Sequence, residues 1–193
     1  MDLTQGTEKE KIERSKKMML WFGIISMGMM FAGLTSAYVV SKNRPDWLKD
    51  FQLPSAFIYS TIIVLVSSFT FHFAKKAIKS GSYKRGTSLL GITLVLGLAF
   101  IYLQFEGFSQ ILENGYYFTG SASTITTSFI YLVVMAHLAH IFAGIIVLFV
   151  VIYNNSKQRY KVGQMLGIEL GATFWHFIDA LWLYLFLFLY FFR

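Results

Sequence analysis

Few side chains in this sequence could take part in chemistry. Its 193 residues include four histidines, ten acidic residues and no cysteine. Disulfides, thiolate metal sites and a Cys nucleophile are therefore excluded. The densest pattern lies near the carboxyl end. Glu169 and His176 are seven apart, and Asp179 is three beyond His176. At 3.6 residues per turn these side chains share one helical face. Trp175 and Trp182, also seven apart, flank that stripe. One reading is a proton relay or metal site. The other, which the spacing favours, is a polar network that fixes how two helices dock. His137 and His140 are three apart on neighbouring positions of one face. They read either as metal or haem ligands or as neutral histidines bonded to a neighbouring helix. With no carboxylate close in sequence, the second reading is favoured. His72 stands just before Lys75 and Lys76, which suits a place at lipid-headgroup depth. No phosphate-cradling glycine loop, H-E-x-x-H or nucleophile elbow is present.

The elements that must carry these residues are membrane helices. The chain is 55% hydrophobic and 18% aromatic but only 14% charged, against about 25% charged in an average soluble domain. A soluble globule of this size cannot hide so much apolar surface. Five stretches, 18–40, 56–74, 87–105, 123–153 and 167–192, approach or exceed the span length of about 20 apolar residues. Helices are expected because lipid offers the backbone no hydrogen-bond partners. The predicted fold class is all-α, a polytopic membrane protein organised as a single membrane domain over 1–193 with a cytoplasmic tail, 1–17. Of the 17 basic residues, 13 fall in the tail and in the loops after the second and fourth spans. Lys42, Arg44, Lys49 and Arg193 occupy the other side. The positive-inside rule then predicts a cytoplasmic amino terminus and an external carboxyl terminus. The net charge of +7 is thus a topology signal, and no nucleic-acid partner is expected. Small residues four apart in the first span, Ala32 with Ser36 and Gly33 with Ala37, suit close helix packing. Tyr38 and Trp47 are expected in the outer aromatic belt and Trp21 in the inner one. Glu106 and Glu113 are expected in water.

The pattern Glu169-x-Gly171-x-x-x-Trp175-His176-Phe177-x-Asp179-x-x-Trp182 resembles the last helix of subunit III of haem-copper respiratory oxidases. His137-Leu138-Ala139-His140 followed by Gly144 is similar to the family's H-G-L-H-V-x-x-G stretch on the preceding helix. Gly33 through Tyr38 resembles the family's small-and-aromatic helix end. The resemblance covers all five spans and fits the five-helix bacterial type. The sequence departs from the pattern at three places. Met27 stands where the family carries a carboxylate, Leu138 replaces a glycine, and Tyr153-Asn154-Asn155-Ser156 occupies a region where a basic residue often meets lipid phosphate. Lys157 is the nearest basic residue there.

The resemblance implies a non-catalytic accessory subunit of an aa3-type, proton-pumping cytochrome c oxidase in a bacterial inner membrane. It implies packing on oxidase subunit I, with subunit II and other respiratory-complex chains as further partners. It implies bound structural phospholipid, with His72 and Lys157 as headgroup candidates, and support of proton uptake and complex stability. No cofactor is expected in this chain, and the haems and copper would sit in subunit I. It further implies that the helices divide into the first two and the last three, with a lipid cleft between. The shared-face spacing and the cost of leaving polar groups in lipid predict that His137, His140, Glu169, His176 and Asp179 pin the fourth helix to the fifth. The alternatives are subunit III of a quinol oxidase, a small membrane haem or metal protein using His137, His140 and His176, and a proton-coupled transporter. The last is disfavoured by the absence of an inverted repeat.

Overall fold

Long apolar runs flanked by polar caps fold as five helices. The computed structural model describes residues 6–48, 51–120, 123–160 and 164–192. The helices are α1 (Glu8–Val40), α2 (Ser55–Lys79), α3 (Tyr83–Glu113), α4 (Ile125–Ser156) and α5 (Leu166–Phe192), with one short 3-10 turn at Ser41–Asn43. All five are long and apolar enough to cross a membrane, as expected. Lys49, Lys161 and Arg193, part of the charge pattern, lie outside the described residues.

The helices outrun their apolar stretches because capping, not hydrophobicity, ends them. α1 begins ten residues before Met18. There Thr7 accepts from the Glu10 amide at 3.4 Å, and the Glu10 carboxylate accepts from the Thr7 amide at 2.8 Å. This reciprocal cap satisfies two amides the helix leaves free. It also holds the Glu10 carboxyl below the usual carboxylate range, chiefly through the Thr7 backbone bond. α2 stops at Gly81, whose φ of +82° is the left-handed conformation glycine adopts without strain. The Gly81 amide then reaches Ile78 O and the Ser82 amide reaches Ala77 O, both at 3.0 Å, closing the helix end. Gly115 ends α3 in the same way, at φ +78°.

α2 packs most extensively on α3 and also on α5; α3 packs on α4, and α4 on α5. α1 lies against α5 and α4. In its most apolar stretch only 17% of residues are buried, against 33–39% in the other four helices, so α1 is the peripheral element. A division of the first two helices from the last three is therefore not what the fold shows. α2 is embedded between α3 and α5, and α1 seats elsewhere. One apolar core runs through α2, α3, α4 and α5, and a smaller one joins Phe31 of α1 to Val133, Leu181 and Leu185. Tyr38 differs from the belt expectation. It is 1% exposed and edge-on to Trp47, Phe129 and Phe188, because the α1 buried face runs through Phe31, Thr35 and Tyr38.

Asn155 ties the end of α4 to the start of α3. It is fully buried and donates to Tyr83 O at 3.2 Å and to Thr87 Oγ1 at 2.8 Å. Removing a partner of buried bonds costs about 1–3 kcal/mol. Asn155→Ala is expected to lower the midpoint of detergent-induced unfolding accordingly, read by loss of helical circular dichroism.

Candidate functional site

The polar residues of the bundle converge on α2. Indole N–H groups buried among apolar side chains need an acceptor. α2 supplies them as hydroxyls. Trp175 Nε1 donates to Ser67 Oγ at 2.8 Å, and Trp182 Nε1 donates to Thr61 Oγ1 at 3.0 Å. Between them His176 Nδ1 lies 2.6 Å from Ser68 Oγ. The pairs run 61 with 182, 67 with 175 and 68 with 176, so α2 and α5 are antiparallel. Each hydroxyl can accept once and still donate to its own helix turn. Thr61 Oγ1 does so to Phe57 O at 2.7 Å. On the α3 side Gln104 Nε2 donates to Ser60 Oγ at 2.8 Å, and Thr70 meets Thr93 at 2.8 Å. These hydroxyls form a seam that holds α2 to both neighbours without polar groups facing lipid.

Small residues let the helices approach. A Cβ at Gly97 would lie 3.0 Å from both Ile145 and Trp175, and one at Gly144 would lie 2.6 Å from Ile178. A Cβ at Gly171 would lie 2.9 Å from Val151. Leu138, where the family motif has glycine, fills the main core instead.

The five residues singled out in sequence do not form one network. His176 is directed to α2 rather than to α4. Asp179 is 2% exposed, and neither carboxyl oxygen has a hydrogen-bond partner among the described residues. Glu169 meets Lys17 of α1 at 3.7 Å, with both side chains about half exposed. His140 Nδ1 donates to Ala136 O of its own turn at 2.7 Å. His137 is 0% exposed and boxed by the rings of Trp182, Phe100 and Phe31 at 5.1, 5.9 and 6.4 Å. Neither of its nitrogens is bonded among the described residues. The ring contact of His137 with Trp182 is what links the two groups. The physical reason is that shared-face spacing fixes which residues point together, not which helix they meet. Among the described residues no three His, Asp or Glu groups converge on a position that could hold a metal. His72 is exposed, with its ring 6.4 Å from that of His176. Lys157 is exposed beside the Tyr153 ring at 5.9 Å. Because the Lys17–Glu169 pair is solvated, Lys17→Gln is expected to shift the unfolding free energy by under about 1 kcal/mol, measurable in the same detergent titration.

Sequence comparison gives this geometry its setting. Residues 3–193 match the family described as cytochrome c oxidase subunit III. The chain belongs to that family. The subunit 3 of a cytochrome bo(3) ubiquinol oxidase from Buchnera aphidicola is 30% identical over 192 residues, covering 97% of this chain and 92% of the relative. Cytochrome c oxidase subunit 3 of Bacillus sp. (strain PS3) is 27% identical over 177 residues, covering 90% and 84%. That of Thermostichus vulcanus is 28% identical over 171 residues, covering 86% and 82%. The protein is a subunit III of the haem-copper oxidases, a multi-pass membrane protein that forms part of an oxidase complex. In this subunit III the motif tryptophans are anchoring groups, and their acceptors Thr61 and Ser67 were not singled out by sequence reasoning. A signal was available. Ser60 and Ser67, like Thr61 and Ser68, repeat at the seven-residue spacing of Trp175 and Trp182.

Proposed function

We propose that this chain is the non-catalytic accessory subunit III of an aa3-type, proton-pumping cytochrome c oxidase in a bacterial inner membrane. It packs on subunit I, which carries the haems and copper, and it neighbours subunit II. Its amino terminus faces the cytoplasm and its carboxyl terminus the outside, as the basic loops favour. The observation that carries this reading is the family match over almost the whole chain, joined to a core whose motif residues are spent on helix docking. His137, His140, Glu169 and His176 serve that docking, with α2 and α1 as well as α4 and α5 in the contacts. A reading of His137, His140 and His176 as haem or metal ligands is not supported, because His176 bonds α2 while His137 lies in an aromatic box.

The subunit also binds phospholipid and supports proton uptake and long-term stability of the complex. An apolar groove of about 380 Å³ between α1, α4 and α5, with Asn154 and Tyr160 among its lining residues, is consistent with an acyl chain. Burial pushes the Tyr160 hydroxyl above the ordinary tyrosine range, so it stays a neutral lining group at physiological pH. Lys157 and His72 remain the headgroup candidates. A quinol oxidase is the second reading, favoured by the Buchnera relative. Purification through a tag on this chain separates the cases. Copurifying haem-bearing subunit I with oxidation of reduced cytochrome c supports the first reading, and oxidation of ubiquinol without that activity supports the second. Recovery of the chain alone, with or without its own chromophore, would overturn both.

A further inference from the structure

Asp179 is the one acidic residue among the described buried side chains, and docking does not account for it. It sits in the middle of α5, 2% exposed, and accepts no hydrogen bond from a described residue. An aspartate kept at membrane depth without a bonding partner is costly and marks a functional group by default. Three residues before it on the same face of α5 stands His176, whose Nδ1 is 2.6 Å from the Ser68 hydroxyl of α2. His176 is half-buried, and its ring is 6.4 Å from that of His72, a separation one water can bridge. His72 is exposed at the end of α2 that carries Lys75, Lys76 and Lys79. Proton-bearing groups thus lead in order from the lysine-rich end of the bundle to the buried carboxyl.

We propose that Asp179 is a proton-holding site, filled and emptied from the lysine-rich end through Ser68, His176 and His72. On filling, His176 takes a proton at Nε2 from a water bonded to His72 and releases its Nδ1 proton to Ser68. The Ser68 hydroxyl passes its own proton to an Asp179 oxygen. The water regains its proton from bulk solvent by way of exposed His72, so the net change is one proton taken from solvent and one carboxylate become a carboxylic acid, and no bond between heavy atoms changes. Emptying runs the same transfers in reverse. A hydroxyl is the right intermediate because it donates and accepts at once, and a histidine moves protons between its two nitrogens near neutral pH. Other charged or titratable groups stand around this line. Lys75 acts on His176 from α2. From α4 His137 lies against Trp182, three residues beyond Asp179, and from α1 Lys17 is paired with Glu169. The Asp179 site goes beyond the supporting role proposed above, and its failure would leave the copurification result untouched.

The test is infrared spectroscopy of the carboxylic-acid C=O stretch in the purified oxidase containing the full chain, followed on transfer to heavy water. Asp179→Asn assigns the band by its loss; where that variant does not assemble, Asp179→Glu assigns it by its shift. Among the described residues His72 makes ring contacts with Phe73 and His176 and no docking hydrogen bond, so His72→Gln should assemble normally. A positioned proton-transfer group contributes about 10²–10⁴-fold in rate, so deuterium exchange of the band should slow by at least about tenfold in His72→Gln and further in His176→Phe. A purely structural role for His176 would not tie the exchange rate to exposed His72. Absence of an Asp179-dependent band, or an unchanged exchange rate in either histidine variant, would overturn the proposal.

Discussion

Trp182→Ala is expected to destabilise the folded bundle by about 3–5 kcal/mol, the range for truncating a large buried aromatic. The indole is 1% exposed and edge-on to Phe57 and Phe100 at 5.7 and 5.2 Å. Its removal leaves a cavity where α2, α3, α4 and α5 meet. It also takes away the donor that Thr61 Oγ1 accepts from and one wall of the box around His137. Trp182→Phe keeps most of the volume and removes only the N–H, so it should cost a smaller share, about 1 kcal/mol for the lost hydrogen bond. The measurement is the free energy of unfolding in mixed detergent micelles, followed by tryptophan fluorescence and helical signal. A Trp182→Ala midpoint equal to that of the native chain would mean that this tryptophan does not anchor the bundle.

Gly107→Ala is expected to cost at least about 1–3 kcal/mol, the range for overpacking a filled core. A single methyl group there would run into the edge of the Phe57 ring. Neither α2 nor α3 can yield easily, because Gln104 and Ser60 are bonded one turn away. Gly91→Ala on the same helix is the matched control. A Cβ there meets nothing within 4 Å, so the better helix propensity of alanine predicts no loss and up to about 1 kcal/mol of gain. Combining Gly107→Ala with Phe57→Leu should recover part of the loss. The double-mutant cycle should then show a coupling of about 0.5–3 kcal/mol.

The contrast between these glycines marks what the sequence could and could not disclose. Hydropathy and length were enough for five helices, since hydrocarbon leaves the backbone no other choice. Hydropathy carries no sign of caps: Thr7 and Glu10 drew no attention, and α1 began ten residues before its apolar stretch. The spacing of Glu169, His176 and Asp179 disclosed a common face. It could not disclose that α2 lies against that face, because neighbour choice depends on shape complementarity across residues remote in sequence. α2 drew attention only for His72, for its hydroxyls look like ordinary tolerated serines and threonines in an apolar helix. Their meaning appears when Trp175 and Trp182 arrive with N–H groups to be satisfied. Tyr38 was misplaced for a related reason. An aromatic at a span end suits the belt, and only the packing of Trp47, Phe129 and Phe188 around it turns it inward.

The embedding of α2 has a consequence for the order of synthesis. α2 and α3 are joined by a turn of three residues, Ser80 to Ser82, and share the most extensive contact in the bundle. They can pair as soon as both have left the translocon. The other partner of α2, α5, follows α4 in the chain, and it brings both indoles and Asp179 with it. Until then the α2 hydroxyls can wait on carbonyls of their own turns, as Thr61 does on Phe57, so the half-made chain exposes little unmet polarity to lipid. Closure of the bundle therefore waits for α5, and a ribosome stalled before residue 166 would leave an α2–α3 hairpin that quality-control proteases meet with its docking face open.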